Sequence, residues 1–129
     1  MNLSETHVLT AGKAVSLLDP AAVLATANGT GVLIGPGARG HAAAIVSVAA
    51  AGAGTLPTFD YKLQSSDDNS TFVDIPGAAI AQVTTVKKVT MLPFLPASCG
   101  KYIRGVVTIG GTSSPSFLAS AELVYWDTP

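Results

Sequence analysis

Residues 58–75 constrain the fold most strongly, because they have the pattern of a β-hairpin. Phe59, Tyr61 and Leu63 alternate with polar residues, so the period is two and one face of this strand is expected to be buried. Residues 65–70 are rich in Asp, Asn and Ser, whose side chains turn the chain by bonding their own backbone. Apolar residues then resume, and the segment predicts two antiparallel strands.

Short apolar segments separated by Gly, Pro, Asn and Ser continue along the chain, and no long amphipathic helix is predicted anywhere. About eight or nine strands, spaced roughly 8 to 12 residues apart, are typical of all-β sandwiches and barrels. We therefore predict an all-β fold, an antiparallel β-sandwich of the jelly-roll type with about eight strands. An immunoglobulin-type sandwich stays open, although its disulfide and core Trp pattern is missing.

Local turn signals predict where strands end. Asn28-Gly29 is expected to form the two-residue turn of a second hairpin, because both central positions of a type I′ turn need positive φ. Residues 83–94 are expected to form one long strand, confined at its end to an edge or a loop by prolines. Three further signals are expected to end strands: Asp19-Pro20, Pro76-Gly77 and residues 110–115.

The length of 129 residues favours one core, so we predict a single β-sandwich domain at residues 13–129 preceded by an amino-terminal arm at residues 1–12. Cys99 is the only cysteine, which excludes an intrachain disulfide and fits a reducing compartment. The first residues lack the basic and apolar regions of a secretory signal. The longest apolar run, residues 41–54, is too short and too rich in Ala to span a bilayer.

Charged residues make up 12% of the chain, against a usual share of roughly 25%, and the formal net charge is −1. This balance argues against nucleic acid and acidic membranes as partners, since both are captured by clustered Lys and Arg. A surface so poor in charge is expected to be covered largely by protein partners. The alternative is that Ser, Thr, Asn and Gln supply the missing polarity.

No motif predicts catalysis, a metal site or a cofactor. Residues 35–40 are rich in Gly, but a phosphate loop also needs a Gly-Lys-Ser/Thr ending and a following helix, so a turn is the better interpretation. His7 and His41 have no ligand neighbours at metal spacing. Asp67, Asp68, Asn69 and Asp74 lack the spacing of an EF-hand loop and are expected to close the hairpin. We predict that the chain is not an enzyme.

Two small groups of residues remain as candidates for binding. Lys87 and Lys88, with Lys101 and Arg104 along the chain, are expected to protect an edge strand or to form ion pairs with a partner. Tyr125 and Trp126 are open to three interpretations: core packing, a protein interface or a ligand-stacking platform.

Two segments carry a resemblance to a known family: the hairpin FDYKLQSSDDNSTFVDIPG at residues 59–77, and the strand KYIRGVVT at residues 101–108, which a Gly-Gly turn follows. Together they resemble small β-proteins from the structural modules of tailed bacteriophages, over roughly residues 40–126. The chain looks most like the capsid cement or decoration proteins, jelly-roll modules that clamp neighbouring major capsid subunits on the outside of a mature head. Related hairpins occur in tail and fibre modules and in carbohydrate-binding sandwiches.

The resemblance implies a virion protein without catalytic residues, assembled in the bacterial cytoplasm onto the capsid exterior. Its expected partners are the major capsid protein and further copies of itself, as a homodimer or another small homo-oligomer. The alternatives are a glycan- or receptor-binding module that stacks sugars on Trp126, Tyr125 or Tyr61, and a jelly-roll metal enzyme, for which two distant histidines are too few. The residues predicted to bind the partner are Leu3, His7, Arg39, His41, Lys87, Lys88 and Trp126.

Overall fold

A computed structural model describes residues 14–34 and 41–126, and within these ranges most residues lie in antiparallel β-strands. A short 3-10 helix, Pro96–Ser98, is the only helical element of the described part. The strands are β1 (Ala14–Val23), β2 (Ala27–Asn28), β3 (Val32–Leu33), β4 (His41–Val48), β5 (Ala53–Ser66), β6 (Val73–Ala79), β7 (Lys88–Phe94) and β8 (Tyr102–Trp126).

The 25-residue strand β8 belongs to both sheets of the sandwich. Its second part lies between β1 and β4, and β7 completes this sheet, which we name sheet A. Its first part lies between β5 and the end-to-end pair β2 and β3, and β6 completes sheet B. The predicted all-β antiparallel sandwich is confirmed. With β8 counted once in each sheet and β2 with β3 as one strand, the eight strands agree with a jelly roll.

The core lies between the two sheets and is built from alternate residues of each strand. The predicted period-two pattern of the hairpin is confirmed, because Phe59, Tyr61 and Leu63 are all buried. Phe59 packs against Phe117 of β8, with ring centroids 5.4 Å apart. Ala119, Ala121, Leu123 and Tyr125 continue the buried side of β8, as its alternation predicts.

The turn predicted at residues 110–115 does not separate two strands. Instead β8 bends there from sheet B into sheet A, and β5 pairs with it across the bend, with Ala53 opposite Ser116 and Thr55 opposite Thr112. Bulges and bends are how a strand changes sheets. The local Gly and Pro signals predicted a turn that ends a strand, and this prediction is wrong because β8 continues through the bend. We name residues 53–57 and 110–116 the corner.

The hairpin predicted at Asn28-Gly29 is wrong. Both β2 and β3 pair with β8, so the chain continues along one edge of sheet B and does not turn back on itself. Neither Asn28 nor Gly29 has the positive φ that a type I′ turn requires. The Gly29 amide donates to the Gly105 carbonyl at 2.7 Å, which shows that pairing with β8 outweighs the local turn preference.

Bulges and prolines interrupt the edge strands. Asp19-Pro20 lies within β1, and Pro76-Gly77 lies within β6, so both predicted strand ends are irregularities in edge strands. The predicted long strand at residues 83–94 is shorter, since β7 begins at Lys88. β7 is an edge strand, as its prolines indicated, and contains Pro93. Such features discourage edge-to-edge pairing, so the faces of the sheets remain for contact with other molecules.

Candidate protein-binding face

The outer face of sheet A exposes a group of large apolar side chains. In β4, Ala44 and Val46 point into the core, so Ile45 between them points outward, where it lies opposite Met91 in register. The exposed fractions are 37% for Ile45, 60% for Met91, 74% for Val89 and 61% for Leu118. We name these four residues the apolar face.

A groove of about 560 Å³ lies at one end of the apolar face. It crosses sheet A, from the residues that begin β7 to Pro20 of β1. Its small lining residues include Ser47, Ala49 and Ser120, while Val89 and Leu118 provide bulkier apolar walls. The groove therefore combines an apolar surface with the space to admit a side chain from another molecule.

Lys87 and Lys88 line the groove and provide its cationic end. Both residues are exposed, and the only ion pair among residues 14–34 and 41–126 joins Lys62 to Asp74 on the other sheet. The two lysines thus form no ion pair within the described part of the chain, and their ammonium groups are available to carboxylate or carbonyl oxygens of a partner.

The outer face of sheet B has a different chemistry. Asp74 accepts hydrogen bonds from Gln64 Nε2 at 2.8 Å and from Lys62 Nζ at 3.1 Å. These two hydrogen bonds, that from Gln64 above all, lower the pKa of Asp74. Arg104 Nε donates to Gln64 Oε1 at 2.9 Å, and its guanidinium carbon lies 4.0 Å from the ring centroid of Phe72. We name this connected group the polar network.

Asp68 closes the hairpin turn, as predicted. Its Oδ1 accepts hydrogen bonds from the backbone amides of Thr71 and Ser70, both at 2.9 Å, and from the Ser66 hydroxyl at 2.8 Å. These bonds, led by the one from Thr71, lower the pKa of Asp68 to about 2. No group of three or more His, Cys, Asp or Glu residues in the described ranges is placed to hold a metal ion.

The structure brings only part of the predicted binding set together. Lys87 and Lys88 share the groove, whereas His41 begins β4 at the opposite end of sheet A, where its backbone lies in register with Trp126. Only the backbone of Trp126 is described. Leu3, His7 and Arg39 lie outside the described residues, as do the arm at residues 1–12 and the loop at residues 35–40.

Two of the three predicted sugar-stacking platforms are wrong. Tyr61 is 2% exposed and Tyr125 is 6% exposed, because both point into the core between the sheets. A sugar ring cannot reach the face of either side chain. Burial also raises the pKa of the Tyr61 hydroxyl, since an ionised phenolate is poorly solvated there.

The predicted binding set did not include the apolar face. A signal for it exists in the sequence, since residues 89–94 are apolar at both parities: Val89 and Met91 on one side, Leu92 and Phe94 on the other. Leu92 and Phe94 are buried in the core, and the first pair is exposed. Apolar residues on both sides of an edge strand indicate a second apolar surface.

Comparisons with protein-family models, curated proteins and solved structures found no match. In the described part of the chain, no helix has the length and apolar character needed to cross a membrane.

Proposed function

We propose that this chain is an auxiliary virion structural protein that binds the outside of a phage head and stabilises the capsid lattice. The observation that carries the proposal is the apolar face on sheet A, which is exposed and lies beside two lysines that form no ion pair with the described residues. The proposal is also supported by the resemblance of residues 59–77 and 101–108 to phage decoration proteins.

Protein contact is the role that best fits the apolar face. Contiguous exposed apolar patches on soluble proteins mark interaction sites. The other surfaces are less suited to such contact, because the polar network bonds largely within itself and the edge strands are interrupted by bulges and prolines. A partner surface with apolar side chains and with carboxylate or carbonyl oxygens would satisfy both the apolar face and the lysines.

The proposed partners are the major capsid protein and further copies of this chain. A cement protein holds a lattice through modest contacts, whose effect multiplies when one molecule touches several subunits. A surface with few charges suits this role, since close contact then desolvates few ionic groups. The proposed location is the exterior of the capsid, after assembly in the bacterial cytoplasm.

Quantitative mass spectrometry of purified virions of the phage that encodes this chain tests the proposal. The expected result is a ratio to the major capsid protein near one, or near a simple fraction of one. A handful of copies per virion would contradict the lattice-wide role and favour the alternative, a receptor- or glycan-binding module of a tail or fibre. Absence of the chain from virions would overturn both.

A further inference from the structure

The corner presents an exposed leucine from an unusual backbone. Leu56 is 85% exposed and has a φ of 50°, which is rare for a bulky residue because its Cβ crowds the backbone. Five of the seven described residues with positive φ lie in this corner: Gly54, Leu56, Gly111, Ser113 and Ser114. Both the exposure and the backbone conformation cost free energy in the isolated chain, so they call for a reason beyond folding.

Close backbone packing holds Leu56 in place. An added Cβ at Gly111 would lie 2.8 Å from the Leu56 carbonyl oxygen, and one at Gly54 would lie 2.7 Å from Cα of Pro115. Real Cβ atoms do not approach so closely, so both positions require glycine as built. The corner is therefore a preorganised support, and a side chain on it loses little freedom when it enters a partner.

The surroundings of Leu56 define what it can bind. The corner residues are uncharged, and hydroxyl groups of Thr55 and Ser113 interact with each other beside the leucine. Leu56 is a branched apolar side chain surrounded by uncharged hydroxyl and carbonyl groups. It therefore fits an apolar depression whose rim provides hydrogen-bond donors.

The groove on sheet A has the complementary properties. Its volume of about 560 Å³ exceeds that of one leucine side chain, and its lining combines small residues with the apolar walls Val89 and Leu118. Lys87 and Lys88 supply donors at its end. Leu56 cannot fill the groove of its own chain, because it is exposed to solvent. A net charge of −1 leaves little repulsion between two copies.

We propose that Leu56 of one copy inserts into the groove of a second copy. The contact joins two different surfaces, so it is heterologous, and repetition yields a closed ring or a chain of molecules. This inference rests on the part of the proposed function that treats the apolar face as a protein contact and names a second copy as a partner. Ile45 and Met91 lie outside the groove and stay free for the capsid.

Sedimentation velocity of the purified chain over a concentration series tests the contact with two variants. Leu56→Asn removes the apolar side chain and retains a residue that tolerates positive φ, so the fold is kept. Leu118→Arg fills the groove at a position that is already exposed. Leu24→Asn and Leu95→Arg are the matched controls, since both leucines are exposed and lie outside the corner and the groove.

We expect wild type and both controls to self-associate, and each of the two variants to lose affinity by roughly tenfold or more, as at an interface hot spot. A mixture of Leu56→Asn with Leu118→Arg should form a 1:1 heterodimer that grows no further, because one intact leucine meets one intact groove. Wild type that stays monomeric, variants that associate like wild type, or a mixture that stays monomeric would each overturn the proposal.

The outcome is independent of the virion measurement. Self-association that both variants weaken, in a chain absent from virions, would keep this contact and overturn the capsid role. A lattice-wide copy number in virions, together with a wild type that is monomeric in solution, would keep the capsid role and overturn this contact. If Leu56→Asn fails to fold, Leu56→Gly replaces it, because glycine adopts positive φ at no steric cost.

Discussion

The two outer faces of the sandwich differ in the chemistry of the side chains that they expose to water. On sheet B, the outward side chains of the central hairpin bond one another through Gln64, Asp74 and Arg104. On sheet A, the corresponding positions expose Ile45, Met91 and other apolar side chains. The polar side chains of the first face already have hydrogen-bond partners in the isolated chain. The apolar side chains of the second face would be removed from water only by contact with a partner. This difference is why we propose sheet A as the face that contacts a partner.

The contrast originates in the outward positions of single strands. Along β5, Asp60, Lys62 and Gln64 occupy the outward side, and each has a polar partner within 3.1 Å. Along β7, Val89 and Met91 occupy the outward side. Both strands bury their other side in the same core, so the demands of folding do not explain the choice of outward residues.

The largest loss of stability is expected from a substitution in the core that both sheets share. An added methyl group in Gly105→Ala would overlap the buried Tyr61 hydroxyl, and Tyr61 has no room to move because it is buried. Overpacking of this kind should lower the free energy of unfolding by about 3 kcal/mol. Urea unfolding measures the loss, and Gly52→Ala is the control, since its methyl would make only ordinary contacts, with the Ser116 hydroxyl at 3.4 Å and the Ser116 carbonyl oxygen at 4.0 Å. Equal stability of the two variants would contradict the described packing.

A smaller loss of stability should distinguish a substitution on sheet B from one on sheet A. Arg104→Ala removes the hydrogen bond to Gln64 and the cation–π contact with Phe72, and we expect a loss of about 1–2 kcal/mol in unfolding free energy. Lys87→Ala removes a cation from sheet A and should change stability by less than about 0.5 kcal/mol. The same urea experiment compares them, and a larger loss in Lys87→Ala would reverse our assignment of the two faces.

Acid should weaken the hairpin of sheet B specifically. The pKa of Asp68 is about 2 in the folded chain and near 3.8 when unperturbed, so its ionised form stabilises the fold fully above about pH 4. That contribution declines as the pH falls from 4 towards 2. Melting temperatures at pH 6, 4 and 2 should therefore fall less steeply in Asp68→Ala than in wild type. Parallel pH profiles would show that this turn does not contribute.

The smallest effect on stability is expected on the apolar face itself. Met91→Glu replaces a side chain that is already 60% exposed, so the free energy of unfolding should change by less than about 0.5 kcal/mol. Thermal and urea unfolding test this. A loss comparable to that of Arg104→Ala would mean that the apolar face is part of the fold and is not kept for a partner.

Sequence patterns predicted the elements whose partners lie nearby and missed those fixed at long range. The alternation in β5 and β8 follows from a buried face, so these strands could be predicted from the sequence. The path of residues 27–33 could not be predicted in this way, because pairing with β8, about 70 to 80 residues along the chain, decides it. Asp19-Pro20 and Pro76-Gly77 were wrongly predicted to end strands. A local motif does not reveal whether its strand lies at an edge, where a bulge is tolerated.

The candidate site was predictable only in part. Lys87 and Lys88 stood out because charge is scarce in this chain. Ile45 and Leu118 did not, since each lies within an apolar run whose neighbours are buried, and only the register between β4, β7 and β8 shows which side chains share the outer face. The prominence of Leu56 depends on a backbone conformation that residue type alone does not indicate.

Binding to phage heads tests the central claim most directly. Heads of the phage proposed to encode this chain, assembled without it, are mixed with wild type, Met91→Glu or Val73→Glu, and the bound fraction is measured by co-sedimentation. Val73 is the control, because it is equally exposed but lies on β6 of sheet B. We predict that wild type and Val73→Glu bind alike and that Met91→Glu loses affinity by roughly tenfold or more. Met91→Glu binding as tightly as wild type would contradict the assignment of the apolar face as the capsid contact.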